Sequence, residues 1–204
     1  MSETWLRLSL VAVLIPSVVL HEIAHGWVAD HFGDPTARNA GRISLNPIRH
    51  VDPFGTLVLP IMLAIAAPFV VGYAKPVPIQ PAKLRNPRFH MLLVALAGPA
   101  SNFAIALSAV AVFRVVRPED QSTLWFVLAL ISIVNVVLGL FNLLPIPPLD
   151  GSAIIDFMLP TRWLRSWFQI RRYSFVLLLG FFLFFRSSLN PMFEWAVDLW
   201  EAQQ

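Results

Sequence analysis

Cysteine is absent from the 204-residue sequence, which excludes disulfides and thiolate metal sites and leaves the redox compartment unread. Charge is scarce as well. Only 13% of residues are charged against 57% hydrophobic, and a mean hydropathy of +0.67 lies outside the range of a soluble domain. There is no internal repeat, no low-complexity tract and no hydrophilic stretch large enough for a second domain. The net charge of +3 is small and spread over loops facing headgroups, so nucleic acid is not expected as a partner. These absences leave an integral membrane protein, expected as one domain over 1–204 with a core at about 5–159 and a C-terminal span and tail over 160–204.

What is present is apolar length. Runs of about 18 residues or more can cross the hydrocarbon core as helices, and the candidates are Trp5 to Val28, Phe89 to Val116, Leu124 to Leu144, and Ser174 to Phe185 with its flanks. The first run has no basic leader and no small-residue cleavage site, so it is read as a retained helix rather than a signal peptide. Prolines gather in PVPIQP (Pro76 to Pro81) and LPIPPLDG (Leu144 to Gly151), where they forbid continuous helix. The alternation in RISLN, within Gly41 to Gly55, and in KPVPI, within Ala74 to Ile79, predicts short membrane-associated strands.

Between those two segments, Thr56 to Tyr73 is apolar but interrupted by Pro60 and Pro68. Arg38, Arg42 and Arg49 precede it and Lys75, Lys83, Arg85 and Arg88 follow it, and the positive-inside rule puts both groups on the cytoplasmic side. A re-entrant hairpin over residues 54–73 is therefore expected. The Arg117 to Thr123 loop, with Glu119 and Asp120, would face outward, and Arg162, Arg165, Arg171 and Arg172 would return inside. The expected fold class is an all-α polytopic membrane protein with about four transmembrane helices, the hairpin and the short β-strands.

Within the first run, VVLHEIAHGWVAD sets ionisable groups where lipid should be. His21, Glu22 and His25 spell HExxH. On a helix the two histidines lie one turn apart on one face and can grip one metal ion through their ring nitrogens, while Glu22 beside them can take a proton from water. Imidazole with carboxylate suits zinc, and three protein ligands leave a fourth position open. HExxH also arises by chance, but an ionisable residue deep in a span costs on the order of 3 kcal/mol, so a triplet of them points to function.

A third ligand is required, and two residues can supply it. His31 has the spacing of HExxHxxGxxH, but Val28 stands where that pattern needs a helix-breaking glycine. Asp150, in NLLPIPPLDG (Asn142 to Gly151), ends a proline-rich segment at the close of an apolar run, and irregular backbone at depth is tolerated only where protein or a water-filled cavity covers it. An aspartate before glycine is also a common turn. Asp150 and His25 can meet only if the first and third spans end on the same side, which the hairpin topology allows.

Taken together, HExxH at His21 to His25 and the Asn142, Pro145, Asp150, Gly151 element resemble the two signatures of the site-2 protease family of intramembrane zinc metalloproteases. GRISLNP, HVDPFGT, AKPVP and AGPASN resemble its short bacterial and archaeal branch, and the likeness covers most of Val18 to Ile155. The resemblance implies one Zn2+ held by His21, His25 and Asp150, with Glu22 as general base, cleaving peptide bonds within or near a substrate's transmembrane helix. It also implies that Asn142 contacts substrate backbone or steadies the oxyanion. Gly98 and Asn102, in GPASN, match a family element that either packs helices closely or supports the site, and Gly151 completes the Asp-Gly pair.

The expected surroundings are the lipid bilayer of a bacterial or archaeal cell, with the site toward the cytoplasm and a membrane protein as substrate. The two predicted strands would offer edges to an unwound substrate. A catalytically silent relative that binds membrane helices, or a small ion or solute transporter, is the alternative. Neither a PDZ-like insertion nor a following regulatory domain is seen in the sequence. His50 and His90 are expected at interfaces. Trp5, Trp27, Trp125, Trp195 and Trp200 are expected as interfacial anchors, and FEWAVDLWEA as a surface helix.

Overall fold

The computed structural model describes residues 3–52, 75–120, 122–185 and 190–202. The chain runs through α1 (Glu3–His31), α2 (Thr36–Asn39), α3 (Pro87–Val116), α4 (Thr123–Asn142), α5 (Ser152–Met158), α6 (Thr161–Arg171), α7 (Ser174–Phe185) and α8 (Asn190–Glu201). Local signals set the boundaries. Asn86 caps α3 by accepting from Phe89 N, Pro87 occupies its first turn, and Arg117 closes it in the left-handed region at φ 47°. Ser122 caps α4 through Trp125 N at 3.2 Å.

Three described helices are long and apolar enough to cross a membrane: Trp5–His31, Pro87–Val116 and Thr123–Asn142. Their outward faces carry Leu10, Val11, Leu14, Leu107, Val115 and Val127, all exposed as lipid-facing residues should be. Side-chain contacts set the register. His21 and His25 of α1 meet Asn102 and Val94 of α3, so these helices run antiparallel. Ser17 meets Asn135 of α4, and the chain beyond α4 then reaches His21 and His25, so α1 and α4 run parallel. On the side where α1 ends and α3 begins, the Phe32 ring stacks on His90 at 4.1 Å and Arg85 N donates to Phe32 O at 3.1 Å.

The expected strands are not found. Among the described residues there is no β-strand, and the hydrogen bonds give the reason. In KPVPI the prolines at 76 and 78 remove alternate donors, and the amide of Val77 serves the Glu22 carboxylate at 2.8 Å. Just beyond it, Gln80 N serves Asp34 Oδ2 at 2.5 Å. In RISLN, Arg42 N turns back to Ala37 O and the Asn46 side chain caps the 3-10 turn Pro47–His50. The apparent alternation reflects proline spacing and capping, not a ladder.

Of the four expected spans, three are found among the described residues. Ser174–Phe185 is helical but 12 residues long, about 18 Å against the roughly 30 Å hydrocarbon core, and no fourth described helix reaches spanning length. The re-entrant hairpin expected over 54–73 lies outside the described residues. The C-terminal segment differs from a surface helix: α8 lays Ala196 and Trp200, each at most 2% exposed, against α3 and α4, with the Trp200 ring tilted against Phe113 and edge-on to Trp125. Trp195, on the same helix, remains exposed. Below the site, Arg88 donates to Asp156 O at 3.2 Å and to Leu159 O, and Asp156 takes Trp167 Nε1 and Arg171, fastening α5 and α6 to the base of α3.

Asp34, just past α1, is fully buried and ties the α2 turn to the segment at 75–80 by accepting from Thr36 N at 3.1 Å, from the Thr36 hydroxyl and from Gln80 N. Burial pushes its pKa up, but the Thr36 and Gln80 hydrogen bonds and the Lys83 charge outweigh it, and the carboxyl sits below its ordinary value of 3.8. A lowered folded pKa means the stabilisation is complete above about pH 4 and is lost as pH falls through the folded value. Asp34→Ala is therefore expected to cost about 1–3 kcal/mol at pH 7. Thermal melts in detergent should show the wild-type advantage shrinking below pH 4; melts that match at pH 7 would refute the assignment.

Candidate metal centre

Two consecutive turns of α1 point His21 and His25 at α3, and both residues are buried. Their planes meet edge to face with centroids 4.6 Å apart, and their Nε2 atoms are 3.0 Å apart. His25 Nδ1 lies 2.7 Å from Val94 O, a carbonyl that can only accept, so the proton sits on Nδ1 and Nε2 presents a lone pair. His21 Nδ1 lies 2.6 Å from Asn102 Oδ1.

The chain beyond α4 supplies the third atom. Asp150 Oδ2 lies 3.0 Å from His21 Nε2 and 3.3 Å from His25 Nε2. Its loop is held by Gly151 N donating to Asn142 O at 2.7 Å and by Leu149 N donating to Ile146 O at 2.8 Å. A Cβ at Gly151 would fall 2.1 Å from Leu143 O, so only glycine lets the loop fold back this tightly. That requirement accounts for the Asp-Gly pair.

Three observations fit this trio to a cation. The ligand atoms of His21, His25 and Asp150 all lie within 4.8 Å of one another, and two ligands of a tetrahedral zinc sit about 3.3 Å apart. Asp150 Oδ2 is buried yet has no hydrogen-bond donor, as expected of an oxygen that serves an ion. A Cβ on Gly98 would come within 2.5 Å of both Nε2 atoms, so glycine here keeps open the space beside the nitrogens. Gly98 thus faces the site and is more than a packing residue.

The remaining candidates separate clearly. Glu22 is half-buried next to the ligands, with Oε2 taking the Val77 amide. Asn142 turns its side-chain amide onto Leu138 O at 3.0 Å, while its backbone oxygen anchors Gly151. His31 is outside the cluster, exposed and stacked on Trp27. His50 is buried rather than interfacial, bonding Ser44 O at 2.9 Å. Sequence reasoning missed Asn135 and Ser17, which lie behind Asn102. The signal was available, since Asn135 is an amide in the middle of the apolar run Leu124 to Leu144.

Comparison with known proteins bears on this geometry. The model of Peptidase family M50 matches residues 9–119 and 116–186. YwhC of Bacillus subtilis is 38% identical over 187 residues, covering 85% of this chain and 80% of that protein. Rip2 of Mycobacterium tuberculosis is 31% identical over 194 residues, covering 93% of this chain and 73% of that protein. Both carry the provisional name of zinc metalloprotease. No solved structure matches significantly.

Metal content per chain, measured on detergent-purified protein, checks the centre. Asp150→Ala and Gly98→Ala are each expected to lower zinc occupancy tenfold or more while the helical circular dichroism persists; His31→Ala is expected to keep it. Full occupancy in Gly98→Ala would show that the ion lies elsewhere.

Proposed function

Because this chain belongs to Peptidase family M50, the site-2 protease family, and is an intramembrane zinc metalloprotease, we propose that His21, His25 and Asp150 hold one zinc ion and that Glu22 is the general base. The observation that carries the assignment is the convergence of the three ligand atoms from α1 and the loop after α4. A zinc ion at this site supplies Lewis acidity toward a carbonyl and lowers the pKa of water.

The chain's own groups do the rest. The Val77 amide holds Glu22 Oε2, leaving the other carboxylate oxygen to take a proton from the attacking water and return it to the leaving amine. Asn142 ends the helix that precedes the Asp150 loop, and its amide would steady the oxyanion after releasing Leu138 O. Gly98 keeps the pocket floor clear. The substrate is a membrane protein whose transmembrane helix unwinds locally, since an intact helix satisfies its own carbonyls.

The bacterial or archaeal cell membrane, with the site toward the cytoplasm, is the setting this reading favours. His25 lies six residues before the end of α1, about 9 Å along the axis. Arg38, Arg42, Arg49, Lys75, Lys83 and Arg85 lie between α1 and α3 and Arg88 in the first turn of α3, all at that same end, as the positive-inside rule supports. Family membership does not favour the transporter or silent-relative readings.

Glu22→Gln is the test. Purified protein in detergent is expected to keep its zinc and lose cleavage of a single-span membrane substrate by about 10²–10⁴-fold. Turnover near the wild-type rate would remove Glu22 from the role of base.

A further inference from the structure

His25 and His21 use their Nδ1 atoms differently. His25 faces a backbone carbonyl, which can only accept, so its tautomer is settled by Val94 alone. His21 faces a side-chain amide, and an amide turned over would offer NH2 instead of oxygen. With NH2 facing Nδ1, the imidazole proton would move to Nε2, the nitrogen needed by the ion. Something must hold the Asn102 amide one way round.

The structure provides it. Asn102 Nδ2 donates to Asn135 Oδ1 at 2.9 Å, and both residues are fully buried. Asn135 Nδ2 donates to Ile131 O at 2.8 Å and to Ser17 Oγ at 2.9 Å, and the Ser17 hydroxyl donates onward to Val13 O at 2.8 Å. Ile131 O, like any carbonyl, can only accept, so Asn135 must present NH2 to it and oxygen to Asn102. Asn102 must then present NH2 to Asn135 and oxygen to His21. The polarity of one carbonyl in α4 is passed across two amides to a ring in α1.

Building on the zinc-site reading above, we infer that Asn135 is a positioning residue. Acting through Asn102, it fixes His21 as the Nδ1–H tautomer with its Nε2 lone pair free for the metal. Packing alone would not need this uniform direction of donors. Nor would it explain why the relay serves only the histidine whose partner can flip.

Zinc affinity, measured on the full-length purified protein by competition with a chromophoric chelator, tests the inference. Asn135→Leu is expected to weaken zinc binding 10–100-fold. Adding Asn102→Asp to Asn135→Leu is expected to restore affinity to within about threefold of wild type, because a carboxylate only accepts and cannot be turned the wrong way. A packing defect at 135 would not be repaired at 102. Asn135→Ala, paired with the same second substitution, is run beside it.

Affinity within twofold of wild type in a folded Asn135 variant overturns the inference. So does a loss that Asn102→Asp fails to reverse, or a failure of all four variants to fold. A wild-type chain that binds no zinc would instead remove the metal-site reading on which the inference rests.

Discussion

Two imidazoles on consecutive turns of a lipid-embedded helix need acceptors for their Nδ1 protons, and the hydrocarbon core has no water to provide them. That requirement organises the structure. Val94 O and Asn102 must come from α3, which sets the antiparallel register of α1 and α3. Asn102 must in turn be satisfied, which brings Asn135 and with it α4. Once α4 lies parallel to α1, the chain leaving its end delivers Asp150 to the two Nε2 atoms. The bundle is therefore positioned largely by the polar groups that its lipid-facing surface cannot tolerate.

The same scarcity of donors governs the extended segment at 75–80. A proline-rich stretch is a poor strand because alternate residues have no N–H, but its remaining amides are free to serve carboxylates. Val77 and Gln80 do so, holding Glu22 and Asp34 respectively. One short segment thus connects Glu22, the proposed general base, to the buried aspartate behind the α1 terminus. Position of the base and stability of the turn share a support.

Much of this was legible before any coordinates. Apolar length gives α1, α3 and α4, because spanning helices need little more than uninterrupted hydrocarbon and a cap. HExxH in lipid, with Asp-Gly after the third long run, points to the three residues that the fold brings together as a candidate metal site. The strands were misread because period-two patterns in KPVPI arise from proline spacing, which mimics alternation while removing the donors that pairing requires. Ser174 to Phe185 is expected to span together with its flanks, and the described helix there is 12 residues long. Trp200 was placed at an interface from residue type alone, whereas packing of α8 buries it. Asn135 went unremarked although the lipid argument applied to His21 covers it equally; its partners come from α1 and α3, and no local pattern shows them.

The candidate ligand trio is split along the chain, with 124 residues between His25 and Asp150. At a synthesis rate of about 5–20 residues per second, that gap lasts roughly 6–25 seconds. Throughout that interval the nascent chain carries His21, Glu22 and His25 but not Asp150. The last component arrives only after α4 has been made and its trailing loop has folded back. Under the proposed ligand assignment, a ribosome-bound or prematurely terminated product would hold an incomplete centre, and the bilayer would not be exposed to a working peptidase until its scaffold is built.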